Sequence, residues 1–179
     1  MKKLMIIAAM AAAGFVGASQ AASTGTITFN GEVTATTCDA NVDGQGPDAT
    51  IILPTVGSNQ LAVAGDTAGR TGFNIGLSNC AGTLQTASAF FEAGNTVDLV
   101  SGRLKNTGGD AQNVSLQLRE MNSNESVIVA GNSNQTANAT YYDISTGSAD
   151  MPYSVEYFAD DAVTAGTVNS SVIYSIQYK

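Results

Sequence analysis

Val172-Ile173-Tyr174-Ser175-Ile176-Gln177-Tyr178-Lys179 ends the chain, and its reading decides the fold. In an extended backbone Val172, Tyr174, Ile176 and Tyr178 fall on one side, and Ile173, Ser175 and Gln177 on the other. Side chains of a strand alternate between faces, so a period of two marks a strand with one buried face. The pattern recurs upstream. Tyr153, Val155 and Tyr157 alternate with Ser154 and Glu156, Val114, Leu116 and Leu118 with Ser115 and Gln117, and Phe73, Ile75 and Leu77 with Asn74 and Gly76. From Gly25 to Ala35, the set Gly25, Ile27, Phe29, Gly31, Val33 and Ala35 opposes Thr26, Thr28, Asn30, Glu32 and Thr34. The shorter runs Ile51-Ile52-Leu53 and Val127-Ile128-Val129 are also expected to be strands. Asp43-Gly44, Asn106-Thr107-Gly108-Gly109 and Gly131-Asn132-Ser133-Asn134 carry turn chemistry between them. No stretch sustains a helical apolar period, and residues 131–140 read as a polar surface loop. Many short strands at this spacing predict one all-β domain, an antiparallel sandwich.

The start of the chain has a different character. Lys2 and Lys3 precede an uncharged apolar run from Leu4 to Gly14, and small residues follow to Ala22. These are the three parts of a secretory signal peptide, and the run is short for a membrane anchor. Residues 1–21 are therefore read as the signal, with Ala22 as the mature start and cleavage after Ala18 as the alternative. Export sets the redox context. Cys38 and Cys80 are the 2 cysteines, and in an oxidising compartment they read as one disulfide rather than two free thiols. The whole chain carries 7 Lys+Arg and 15 Asp+Glu, net −8, and losing Lys2 and Lys3 makes it more acidic still. Such a surface repels nucleic acid and anionic lipid.

Candidate chemistry is sparse. The sequence has 0 histidines, which excludes Ser-His-Asp and Cys-His catalysis and the commonest zinc ligand. Gly44-Gln45-Gly46 lacks the rest of a dinucleotide fingerprint, and Asp39, Asp43 and Asp48 lack the spaced glutamate of a calcium loop. Asp160-Asp161 could be a catalytic carboxylate pair, but strand neighbours diverge, so the pair is expected to face water at a turn. The reading is a non-enzyme with no cofactor and no metal.

Three further features are more specific in combination. They are the segment Gly25-Thr26-Ile27-Thr28-Phe29-Asn30-Gly31 ahead of Cys38, the penultimate Tyr178, and Gly166 in the run before the last strand. With the signal peptide and the single cysteine pair, they resemble the type 1-like fimbrial (pilus) subunits of the chaperone–usher family. The resemblance spans the whole mature chain. It implies an incomplete immunoglobulin-like β-sandwich, the pilin domain at 31–179, that lacks its last strand. It also implies an N-terminal donor-strand extension at 22–30. In that family a periplasmic chaperone fills the gap first, an outer-membrane usher exports the subunit, and the extension of the next subunit then fills the gap in a self-polymer with other fimbrial subunits.

On this resemblance Gly25, Ile27 and Phe29 form the inserting face of the donor strand. Gly166, Val172, Tyr174, Ile176 and Tyr178 belong to the groove edge and the chaperone-binding C-terminal strand. From alternation alone, the less favoured alternative is that residues 25–35 are the first strand of a complete sandwich. Only seven residues separate Ala22 from Phe29 inclusive of the former, a short extension for the family. The expected product is a major structural subunit of a surface fimbria supporting adhesion. Two readings stand beside it: a minor tip or adaptor subunit, and a monomeric secreted carbohydrate-binding sandwich, which 0 tryptophans and 6 tyrosines disfavour.

Overall fold

The computed structural model describes residues 25–31, 33, 37–122 and 124–179. The signal peptide at 1–21, residues 22–24 of the extension, and Glu32, Thr34 and Ala35 of the first alternation lie outside the described residues. Residues 25–31 are exposed and in no strand, so the strand expected there does not form within the single chain.

The alternating segments at 73–78, 114–118 and 153–157 become strands, that at 172–178 does so from Tyr174 on, and further strands form where none was expected. In chain order they are β1 (Thr37–Val42), β2 (Thr67–Ala81), β3 (Thr86–Phe91), β4 (Leu104–Lys105), β5 (Val114–Glu120), β6 (Val127–Ile128), β7 (Tyr142–Asp143), β8 (Ala149–Ala159) and β9 (Tyr174–Tyr178). Among the described residues they form two antiparallel sheets. One has the order β1-β2-β8-β5-β4, with β6 also on β5, and the other has the order β7-β3-β9. The fold is the all-β sandwich the alternation predicts. β3 was not legible as a strand, because Thr86, Ala87, Ser88 and Ala89 offer no contrast between faces.

The inner faces meet in one core. Ile75 and Leu77 from β2, Leu116 and Leu118 from β5, and Met151, Tyr153 and Val155 from β8 pack with Ala87, Ala89 and Phe91 from β3. Tyr153 joins the sheets. Its ring lies edge-on to Phe91 at 5.3 Å, and its hydroxyl accepts the Ala89 N–H at 3.1 Å. Burial pushes the Tyr153 phenol above its ordinary value, so it stays protonated.

Three expectations need correction. Residues 51–53 are not a strand. No described strand pairs with them, and Ile52 is 79% exposed, so hydrophobicity is present without a ladder partner. Residues 131–140 are not wholly loop, because α1 (Gln135–Asn138) forms one short turn. Gln135 explains its position: the Phe91 N–H donates to its Oε1 at 3.1 Å, and its Nε2 donates to the Phe91 carbonyl at 3.0 Å. The side chain thus substitutes for a strand partner at the end of β3. Finally, β5 and β8 bury both faces. Ser115, Gln117, Ser154 and Glu156 are buried although they stand at polar positions; Arg103 bonds to Ser115, and Arg70, Arg119 and Gln117 bond to Glu156.

Candidate functional site: an apolar groove beside the C-terminal strand

β9 pairs with β3 from Ala87↔Tyr178 to Phe91↔Tyr174. Among the described residues no strand pairs its other edge. Beside the start of that edge, at Tyr174 and the residues leading into it, opens a groove of about 700 Å³. Its floor is core: Ile75, Leu116, Leu118 and Val155 line it and are each less than a tenth exposed. One rim is residues 51–53, and another is the run from Val168 through Val172 to Tyr174. Ile52 on the first rim and Ile173 on the second both reach solvent. Tyr174 ties the second rim to a further segment, its hydroxyl donating to the Pro47 carbonyl at 2.9 Å. Burial and the nearby Asp48 carboxylate push the Tyr174 phenol upward, so this donor keeps its proton at neutral pH. An apolar trough beside unpaired backbone N–H and C=O groups is a template for an added strand.

The expected groove residues divide by role. Val172 and Tyr174 line the trough. Ile176 and Tyr178 pack against the core without lining it. The Tyr178 hydroxyl accepts the Cys38 N–H at 3.2 Å, tying the last strand to β1. Tyr178→Phe should therefore cost about 1 kcal/mol through one lost partly buried hydrogen bond, read as a shift in denaturant midpoint at unchanged slope. Gly166 positions rather than lines. A Cβ there would stand 2.4 Å from the Ala111 nitrogen, where the Ala111 N–H donates to the Thr167 carbonyl at 3.1 Å. Gly166→Ala must push that backbone contact apart and shift the start of the second rim. A loss of about 1–3 kcal/mol is expected, with the same unfolding measurement as the check.

Cys38 and Cys80 form the expected disulfide, linking β1 to β2 across 42 residues. Closing a loop of this span stabilises by about 4 kcal/mol on the chain-entropy model. It holds β1 beside the groove, which Val42 helps to line.

Among the described residues no other constellation named in the sequence competes with the groove. Asp160 and Asp161 are exposed at a bend, and Asp160 pairs with Arg103 at 3.1 Å. Among the described residues no group of three or more His, Cys, Asp and Glu is placed to hold a metal. No helix among them is long and apolar enough to cross a membrane. Sequence reasoning missed the contribution of residues 51–53 as a rim, and of Tyr157 and Phe73 as lining. Their apolarity was visible, but it signals burial and does not distinguish a filled core from an open trough.

A family model described as "Type-1 fimbrial protein, A" (FimA) matches residues 53–179. The chain is 44% identical over 162 residues to the major fimbrial subunit SMF-1 of Stenotrophomonas maltophilia (strain K279a), covering 88% of this chain and 94% of that one. It is 33% identical over 187 residues to the F17 fimbrial protein of Escherichia coli, covering 100% of both. Among solved structures, the P pilus rod subunit PapA superposes with a TM-score of 0.61 at 18% identity, covering 79% of this chain and 99% of that one. That likeness supports the sandwich alone, whereas the sequence matches carry the family. The chain belongs to the type-1 fimbrial protein A family and is a non-enzymatic structural subunit of a surface fimbria.

Proposed function

We propose that the groove is the acceptor site through which the subunit polymerises, and that residues 25–29 of a second copy are its occupant in the fibre. The observation that carries this reading is the pairing of an open, core-floored trough with an unpaired edge on β9. The matching ligand is in the same chain: Ile27 is 77% exposed and Phe29 is 87% exposed, and in an added strand the two would share one face. Burying two such side chains gives roughly 1.5–3 kcal/mol each, and the added ladder fixes register. Strand addition to an open sheet edge is an established recognition mode, and chaperone–pilin complementation is one of its known instances.

Before assembly the same trough is the site a periplasmic chaperone occupies, because an uncovered edge and core would aggregate. The usher then passes the subunit outward as chaperone and donor exchange. The chain acts as the repeating rod subunit rather than a tip adaptor, in keeping with its similarity to a protein described as a major fimbrial subunit. A synthetic peptide spanning residues 23–31 should bind the soluble subunit and raise its melting temperature. A peptide with Ile27 and Phe29 both replaced by serine should not. Equal stabilisation by both peptides would remove the apolar knobs from the mechanism.

A further inference from the structure

Asn30-Gly31 is the single Asn–Gly pair in the chain, and it directly follows Phe29. Both residues are exposed and outside any strand. No heavy atom of another described residue beyond its chain neighbours lies within 4 Å of the place a Gly31 Cβ would occupy. These are the conditions for spontaneous deamidation. The backbone nitrogen of the following residue must reach the side-chain amide carbon. Glycine obstructs that approach least, because it lacks a Cβ and populates the widest range of backbone angles. Other asparagines are held differently. The Asn79 amide donates to Asp39 at 2.8 Å, that of Asn74 to Asp150 at 2.7 Å, and that of Asn122 to Thr140 at 2.7 Å. Each of these is followed by a residue with a side chain.

We propose that Asn30 is a deamidation site of the unpolymerised subunit, and that insertion into a neighbour's groove protects it. The Gly31 nitrogen attacks Cγ of Asn30, and a nitrogen–carbon bond forms as the bond to the side-chain amide nitrogen breaks. The proton lost from the backbone nitrogen leaves with that nitrogen as ammonia. Water then opens the five-membered imide at either carbonyl, giving aspartate or isoaspartate at this position. One water enters and one ammonia leaves, with no redox change. The isoaspartate product routes the backbone through the former side chain and adds an atom to it, which breaks strand register beside Phe29. Subunits that wait too long outside the fibre thereby lose donor competence.

The protective half of the proposal rests on the donor-strand reading, and the experiment separates the two. Soluble subunit and intact fibres are incubated side by side at mildly alkaline pH, cut after Glu32, and mapped by mass spectrometry. In the soluble subunit Asn30 should convert on the order of tenfold faster than Asn79, and Gly31→Ala should abolish the excess. In fibres, Asn30 should be slow, because insertion of the adjoining residues 25–29 as a strand holds the backbone beside Phe29 extended and keeps the Gly31 nitrogen away from Cγ. Conversion of Asn30 no faster than Asn79 in the soluble subunit overturns the site. Rapid conversion in both soluble subunit and fibre leaves the site standing and overturns its protection by insertion, whereas the donor-strand reading itself stands or falls on the peptide test above.

Discussion

A Phe29→Asp subunit should fold and be captured normally yet yield no fibre, whereas Thr28→Asp should assemble with only a modest loss. The two substitutions add the same charge one residue apart. They differ in the face they occupy, because neighbouring side chains in a strand point to opposite sides. In an extended strand Phe29 shares its face with Ile27, and on the proposed insertion that face would meet a floor of Ile75, Leu116, Leu118 and Val155. A carboxylate forced there loses its water and gains no hydrogen-bond partner, at a cost of several kcal/mol. The lost burial of the phenylalanine adds about 2 kcal/mol. Together these exceed what the ladder hydrogen bonds of a short segment return, at about 1 kcal/mol each. At position 28 the carboxylate stays in water. Capture should be unaffected in both cases, since the described residues that line the groove run from Val42 onward. Fibres scored by electron microscopy, beside the level of soluble subunit, give the readout. Similar assembly of the two variants would sink the assignment of the odd-numbered face, and loss of soluble Phe29→Asp subunit would point to a folding role instead.

How much of this was legible in advance follows from what alternation reports. It marks which face of a strand is apolar, so it located β2, β5, β8 and β9. It is silent on partners. Residues 51–53 read like Val127-Ile128-Val129, yet only the latter run found a strand to pair with. Residues 25–33 alternate as cleanly as β9, and those of them the structure describes, 25–31 and 33, form no strand in the isolated chain. An alternating segment without a partner and a core without a lid are two halves of one pattern, and period two cannot join them. The resemblance to fimbrial subunits supplied that link. The disulfide was legible because 2 cysteines leave one pairing. The separate tasks of Gly166 and Tyr178 were not, since one answers to the Ala111 backbone and the other to the Cys38 N–H. Both are contacts between segments far apart in the chain.

The outer face of the large sheet holds the floor of the groove in place, and Glu156→Gln should expose that dependence. Glu156 is only 2% exposed. Arg119 Nε donates to its Oε1 at 2.6 Å, Gln117 Nε2 to the same oxygen at 2.8 Å, and Arg70 Nε to Oε2 at 2.8 Å. Arg70 comes from β2 at the register shift between Ala68 and Thr71, and Gln117 and Arg119 come from β5, so one carboxylate on β8 ties three strands together. Its chain neighbours Val155 and Tyr157 turn to the other face and line the groove. An amide at 156 removes the charge and turns an N–H₂ toward at least one of these donors. Deleting one member of a buried pair costs about 3–5 kcal/mol. Because the side chains of Arg70 and Arg119 are 39% and 21% exposed, water softens this to about 2–3 kcal/mol. Glu125→Gln should cost less than about 1 kcal/mol, since Glu125 meets Arg70 with its own side chain 62% exposed. Acidity provides an independent check. Burial alone would raise the Glu156 pKa, but the hydrogen bonds from Arg119, Arg70 and Gln117 outweigh it and hold the carboxyl below its ordinary value of 4.5. A depressed folded-state pKa contributes stability that is complete above the unfolded value and lost as pH falls through the folded one. The gap in denaturant midpoint between Glu156→Gln and the unsubstituted subunit should thus be full at neutral pH and begin to close only below the ordinary glutamate range. A gap that stays constant into strong acid would mean the carboxylate's charge is not what binds β2, β8 and β5 into a rigid floor.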